Sequence, residues 1–338
     1  MTCNNPDKRT ESYSQNQELK ILRVLSISII QVILILFSLK GISQTFEKAA
    51  TKFITTGDGV KLQYRIIGNA KDTLIFLHGG PGQNCLGVAP DLEPLSKDHV
   101  FIIYDQRGCG GSDLGDTSMI TASQHVEDLE TLRKFFSIEK LKLVGHSWGC
   151  MLAALYVNKY PTRVGKLLLL SPGPPTRKLF QERFASFAAK DSLNQPIVAK
   201  LRQQLETADD PVSICNQIRE INERFYYFDP KNSLKKKGNY CAVSGEAIRK
   251  QAITARLTLR SLGDYDLIPL ISKITQAALI IEGAQTPVPL KELETWVKSL
   301  PNGKLLLIQS SGHGYPFVEQ PEIFYSAVEK FLNSGTRR

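Results

Sequence analysis

Leu143-Val144-Gly145-His146-Ser147-Trp148-Gly149 is the stretch whose reading decides the fold. Residues 141–144 form a short apolar run that reads as a strand. Residues 147–160 carry helical spacing and stop at Pro161. A G-x-S-x-G placed between a strand and a helix is a sharp turn. Its glycines let the chain double back, and its serine is held in strained backbone with the hydroxyl exposed. Ser147 is therefore the candidate nucleophile. The N–H of Trp148 opens the helix and is a candidate donor to a developing oxyanion.

Working outward, strand-like runs and helical runs alternate. Strands are expected over 60–67, 73–77, 100–104, 166–170, 277–281 and 304–308. Helices are expected over 123–136, 290–300 and 319–332. Short buried strands separated by helices mean a mostly parallel sheet covered on both faces. Residues 174–264 break this rhythm. They lack strand-like runs and are rich in Gln, Arg, Lys and Glu at helical spacing. This segment reads as a helical cap inserted after the 166–170 strand, leaving 50–173 and 265–335 as the core.

Two further motifs sit at strand ends. His78-Gly79-Gly80-Pro81-Gly82 follows the 73–77 strand. Its glycines let backbone pass close to a substrate carbonyl, so the N–H of Gly80, or of Gly79, pairs with that of Trp148 as an oxyanion hole. Pro81 has no N–H to offer. Ser311-Gly312-His313-Gly314 follows the last strand, and His313 is the candidate base for Ser147. His78 reads as a buried hydrogen-bonding residue and His146 as a packing residue. His99 and His125 stand in no motif and read as surface or structural.

These residues carry a resemblance. The chain from about 55 to 332 resembles the α/β-hydrolase fold family, and within it the proline iminopeptidase-like branch. The resembling stretches are His78–Gly82, Asp105-Gln106-Arg107-Gly108-Cys109-Gly110-Gly111-Ser112, Gly145–Gly149, Tyr265-Asp266-Leu267 and Gly312-His313. The resemblance implies an eight-stranded, mostly parallel sheet, a helical cap over the site and no cofactor. It also implies that Asp105 and Arg107 are structural, bracing the loop near the oxyanion hole. Two departures stand out. His146 replaces the second glycine of the branch's elbow, a form shared with esterases. The usual acid, after the 277–281 strand, is replaced by Thr286, which cannot hold a negative charge against an imidazolium. Glu282 is the nearest carboxylate and is nominated as the acid, with Asp264 and Asp266 as weaker candidates.

The cap offers Glu206, Glu220 and Glu223 as groups for a substrate amine, although each reads more simply as a solvated surface residue. Arg224-Phe225-Tyr226-Tyr227-Phe228 reads either as a pocket wall for a small apolar group or as the cap's own core.

The composition sets outer limits. Among 338 residues, 42% are hydrophobic and 22% charged, which excludes disorder and low-complexity architecture. The formal net charge is +9, but the basic residues are scattered. The densest run, Lys235-Lys236-Lys237, reads as a solvated loop, so nucleic acid is not an expected partner. A polar leader precedes an uncharged apolar run over 24–39. With Lys20 and Arg23 before it and Gly41-Ile42-Ser43 after it, residues 1–43 read as a signal peptide or a membrane anchor. The expectation is an exported, periplasmic or secreted protein, or one held at a membrane through residues 21–39. Cys215 and Cys241 both fall in the cap, where an oxidising compartment would allow them to join. No Cys/His spacing points to a metal.

Three functions are weighed. The first is an aminopeptidase that removes an N-terminal residue, proline above all, from short peptides. The second is a carboxylesterase or other acyl hydrolase of small substrates. The third, from another class, is a degenerate hydrolase fold that binds without turnover.

Overall fold

The computed structural model describes Phe46, residues 49–70 and residues 72–334. In chain order it contains β1 (Lys52–Thr55), β2 (Lys61–Ile67), β3 (Thr73–Leu77), β4 (Val100–Tyr104), α1 (Ala122–Phe135), β5 (Leu141–His146), α2 (Trp148–Lys159) and β6 (Val164–Leu170). There follow α3 (Arg177–Lys190), α4 (Gln195–Leu205), α5 (Pro211–Tyr226), α6 (Gly245–Ser261) and α7 (Ile268–Ile271). The chain then returns to the sheet through β7 (Ala277–Gly283), α8 (Leu290–Ser299), β8 (Gly303–Ile308), α9 (Pro316–Glu319) and α10 (Pro321–Asn333).

The eight strands form one sheet in the order β1-β2-β4-β3-β5-β6-β7-β8. β1 pairs antiparallel with β2, and β2 with β4; every other pair is parallel. This is the doubly covered sheet expected from the alternating pattern. The central strands read as continuous apolar runs because both faces are covered: Leu74 to Leu77 and Leu167 to Leu170 are buried throughout. Val126, Leu129 and Leu132 of α1 and Trp148, Leu152 and Tyr156 of α2 close the main core. The expected 319–332 helix is broken into α9 and α10 at Gln320 (φ −136°), because the residue before Pro321 is pushed out of helical geometry.

Parallel order puts the carboxyl ends of β3, β5, β6 and β7 along one edge of the sheet. The candidate site motifs follow those ends or those of β4 and β8, except Glu282, which lies within the last residues of β7. Between β6 and β7 the chain leaves the sheet for α3 to α6. The ends of this excursion are tied together: Arg177 N–H donates to Tyr265 O (2.8 Å) and Leu267 N–H to Pro175 O (2.9 Å), around an antiparallel bridge between Thr176 and Asp266. A disulfide joins Cys215 of α5 to Cys241 in a small apolar cluster with Ile248. It closes a 26-residue separation. Loop-closure entropy puts its contribution at about 3.5 kcal/mol. The Cys215→Ser/Cys241→Ser double variant should therefore unfold at lower urea, and an unchanged midpoint would remove this role.

The apolar 24–39 run and the 21–39 membrane contact lie outside the described residues. No helix among the described residues is long and apolar enough to cross a membrane.

Candidate active site

The turn after β5 is shaped by what its glycines exclude. A Cβ on Gly149 would lie 2.0 Å from Leu77 O of β3, and one on Gly145 2.7 Å from the Gly149 carbonyl. Between them Ser147 sits at φ 51°, ψ −112°, left-handed backbone that a serine rarely adopts. The cost is of order 1–3 kcal/mol. It is held by the Ser147 N–H to Leu170 O bond (3.0 Å) and by the Cys150 and Gly173 N–H groups on Ser147 O (3.0 and 3.1 Å). The loop after β3 passes directly above. A Cβ on Gly79 would lie 2.9 Å from His146 Nδ1 and 3.4 Å from Ser147 Cβ.

The structure places Gly80, Ser147, Trp148 and His313 on the wall of one cavity of about 190 Å³. Gly79 lies behind this wall, against His146. Among the described residues, the backbone N–H groups of Gly80 and Trp148 have no hydrogen-bond partner. Ser147 and His313 share the cavity without a hydrogen bond between them. Such contacts are often long before substrate binds.

His313 Nδ1 lies 2.9 Å from Glu282 Oε2, and both side chains are buried. A carboxylate only accepts, so Nδ1 carries the proton and donates it to Glu282. Nε2 is left with its lone pair. Glu282 Oε1 also accepts from Gly283 N–H (2.9 Å) and from the Ser171 hydroxyl (3.1 Å). Ser171 Oγ in turn accepts from Gly314 N–H (2.9 Å), so one serine at the end of β6 grips both the carboxylate and the histidine loop. Ser171 stands at φ 47° with its N–H on Ile281 O. The sequence offered only the strand-end Ser-Pro-Gly as a signal for it. Thr286 lies elsewhere: its hydroxyl accepts Val288 N–H (3.1 Å). Asp264 and Asp266 are exposed.

Glu319 is a second group the sequence did not flag. Its carboxylate accepts Gly312 N–H (2.7 Å), Phe228 N–H (3.0 Å) and Asp229 N–H (3.1 Å). It thereby ties the histidine loop to the chain leaving α5. Gly312 permits this close approach, since a Cβ there would lie 2.0 Å from Tyr226 O.

The oxyanion loop is braced by a defined hydrogen-bond chain. Gln106 N–H donates to His78 Nε2 (2.9 Å), which fixes the proton on Nδ1, where it reaches Gly79 O (2.9 Å). Gln106 Nε2 donates to His78 O, and Gln106 Oε1 accepts from the Trp148 indole (2.9 Å). Asp105 accepts from Cys85 N–H, Gly111 N–H and the Gln63 amide. Arg107 is fully buried and held in two carboxylate forks, by Asp128 and Asp58.

Two sequence expectations, on Lys236 and Glu223, are corrected; His99 and His125 take the structural of the two roles expected of them. His99 is buried between Asp72 and Glu329, and His125 Nε2 meets Thr258 Oγ1 at 3.0 Å. Lys236 is not solvated: its side chain is 1% exposed. Glu223 is buried between Arg219 and Lys236, although Glu206 and Glu220 are exposed as expected. In the aromatic stretch, Tyr226 lines the cavity with its ring 5.5 Å from that of His313, Phe225 packs on Phe187, and Phe228 is half exposed.

Burial holds His146 at about 3, with His313 and Lys236 adding repulsion. The elbow histidine is therefore a neutral filler at neutral pH. Burial likewise holds His125 at about 3. Between pH 6.5 and 3 the unfolded chain binds a proton that folded His125 does not, so stability falls on acidification by about 1.4 kcal/mol per unit. His125→Gln lacks this penalty. The stability gap between wild type and variant should shift toward the variant by that amount from pH 6 to 5, and a constant gap would refute the assignment.

Comparison with known proteins agrees with this geometry. A family model described as the alpha/beta hydrolase fold matches residues 72–320. A proline iminopeptidase of Heyndrickxia coagulans is 27% identical over 289 residues, covering 82% of this chain and 96% of that protein. One of Clostridioides difficile (strain 630) is 28% identical over 292 residues, with the same coverages. Among solved structures, a proline iminopeptidase of Mycobacterium smegmatis superposes with a TM-score of 0.60 at 20% identity, over 84% of this chain and 97% of that one. An esterase of Exiguobacterium antarcticum gives 0.63 at 22% identity, over 84% and 100%. With the sheet order, the serine elbow and the matched family model together, the chain belongs to the α/β-hydrolase fold family and is a hydrolase.

Proposed function

We propose that the chain is a serine hydrolase that transfers an acyl group to water through Ser147, His313 and Glu282. The observation that carries this is the 2.9 Å contact between His313 Nδ1 and Glu282, in a cavity that also holds the strained Ser147. Ser147 Oγ attacks the carbonyl and His313 Nε2 takes its proton. The carbonyl oxygen, now an anion, is received by the N–H groups of Gly80 and Trp148. The leaving group departs with the proton from His313. Water, deprotonated by the same nitrogen, then releases the acyl group. Glu282 holds the imidazole in the required tautomer and balances its charge.

Two substrate readings compete. The relatives and the His78–Gly82 motif favour removal of an N-terminal residue, proline first. The cavity wall favours small esters, because no Asp or Glu among its lining residues is available to hold a free amine. Glu223, the one buried cap candidate, is already engaged by two cations. At about 190 Å³ the cavity is below the roughly 300–1,000 Å³ of drug-sized sites, which suits a short acyl group. The geometry therefore favours the ester reading. The test is labelling of Ser147 by a neutral fluorophosphonate, followed by turnover of 4-nitrophenyl acetate against proline 4-nitroanilide. Labelling with ester turnover is expected. Faster turnover of the anilide would restore the aminopeptidase, and absence of labelling would remove Ser147 as the nucleophile. The Cys215–Cys241 disulfide and the apolar leader support an exported location.

A further inference from the structure

Two buried cations on the cavity wall each keep a hydrogen-bond donor that the described residues do not use. Lys236 Nζ donates to Glu223 Oε1 (2.6 Å) and to Gly238 O (2.9 Å), and it stands 5.2 Å from the centre of the Tyr315 ring. An ammonium has three donors, so among the described residues the third has no hydrogen-bond acceptor and only the face of the Tyr315 ring beside it. Glu223 is also held by Arg219 at 2.8 Å. Two cations thus face Glu223, with the buried Asp91 carboxylate close to Lys236 as the second anion, and the Lys236 side chain is 1% exposed. Arg183, also on the cavity wall and 7% exposed, is paired one to one with Glu292. Its Nε and Nη2 are engaged by Glu292 and Pro172 O, and Nη1 makes no hydrogen bond among the described residues. A buried donor left without an acceptor is costly unless a ligand supplies one.

Lys236 is also fixed in place. Asp91 accepts the N–H groups of Lys237 (2.7 Å) and Gly238 (2.9 Å). Gly238 packs so closely that a Cβ would lie 2.4 Å from Gly87 O. The residues that clamp it follow the oxyanion loop in sequence, and Gly87 and Val88 line the same cavity. The free donor is therefore preorganised, which reduces the entropic cost of using it.

We infer that the cavity takes acyl substrates bearing a carboxylate, which the free donors of Lys236 and Arg183 bind. This rests on the serine-hydrolase reading above and names its substrate class: half-esters or monoamides of short dicarboxylic acids. A peptide's N-terminal ammonium would meet two cations and no acid on the same wall. The reaction balances as simple hydrolysis: the scissile acyl bond breaks, water adds, and the second carboxylate is unchanged.

The test compares 4-nitrophenyl hemiglutarate, 4-nitrophenyl butyrate and the butyryl ester of 4-hydroxybenzoate on wild type, Lys236→Met and Lys236→Arg. The expected wild-type preference for hemiglutarate over butyrate is roughly 10- to 100-fold in kcat/KM, carried mainly by KM. Lys236→Met should erase this preference, read as the ratio of the two kcat/KM values within each variant, and Lys236→Arg should keep part of it. Preference for the hydroxybenzoate ester instead would place the recognised carboxylate on the leaving group and overturn the acyl-side assignment. Equal rates on all three, or a preference surviving in Lys236→Met, would overturn the inference altogether. An independent readout needs no variant: glutarate, but not glutaramide, should protect wild-type Ser147 from the neutral fluorophosphonate. Equal protection by both refutes the inference. Failure of the reagent to label Ser147 at all would refute the hydrolase reading on which it rests.

Discussion

Ser147→Ala should lower kcat by about 10⁶ while leaving the fold intact. Alanine differs from serine only by the hydroxyl, and that hydroxyl holds no bond in the turn. The turn is fixed by backbone: Ser147 N–H on Leu170 O, and Ser147 O on Cys150 and Gly173. The left-handed φ of 51° is as strained for alanine as for serine, so stability should change by less than about 1 kcal/mol. Residual turnover should remain above the rate in water, because the N–H groups of Gly80 and Trp148 still face the carbonyl oxygen; in comparable sites that residue is about 10³–10⁴. The measurement is kcat on the best ester, with the thermal midpoint recorded on the same samples. A folded variant retaining more than a tenth of wild-type activity would show that another group attacks.

Much of this site was legible because it is local. The serine elbow, the Gly79-Gly80 loop and His313 are short motifs at strand ends, where steric demands leave a signature in the glycines. The strands were legible for a similar reason: burial on both faces makes Leu74–Leu77 and Leu167–Leu170 uniformly apolar. Glu282 was reached differently, by asking which carboxylate could stand in for Thr286. It sits at the end of β7, four residues before the usual position, and its reach to His313 is set by tertiary geometry that no spacing encodes.

What the sequence did not disclose is long-range pairing. Ser171 acts on Glu282 across two neighbouring strands, and Glu319 joins the histidine loop to residues 228 and 229. Neither has a local pattern. The Lys235-Lys236-Lys237 run is the clearest case. A basic triplet is ordinarily solvated, and Lys235 and Lys237 do face outward. Lys236 turns inward because Glu223, 13 residues earlier, and the Gly238 carbonyl receive it.

Glu282→Gln should lower kcat by about 10⁴, nearly as informative as loss of the serine. The reason lies in the donors around the carboxylate. Gly283 N–H and the Ser171 hydroxyl both point at Oε1. A glutamine therefore settles with its carbonyl oxygen on that side, since an amide NH₂ there would face Gly283 N–H, donor against donor. Its NH₂ is then directed at His313 Nδ1, which has to accept. The imidazole proton moves to Nε2, the nitrogen that faces the cavity, and the base loses its lone pair toward Ser147. Volume and packing are unchanged, so the variant should fold. Glu282→Asp keeps the charge but shortens the side chain, and it should recover part of the loss. Thr286→Ala should stay within a few-fold of wild type, because that hydroxyl serves Val288 N–H. The pair of results is decisive: a folded Glu282→Gln within tenfold of wild type, or a Thr286→Ala reduced by orders of magnitude, would move the acid away from the end of β7.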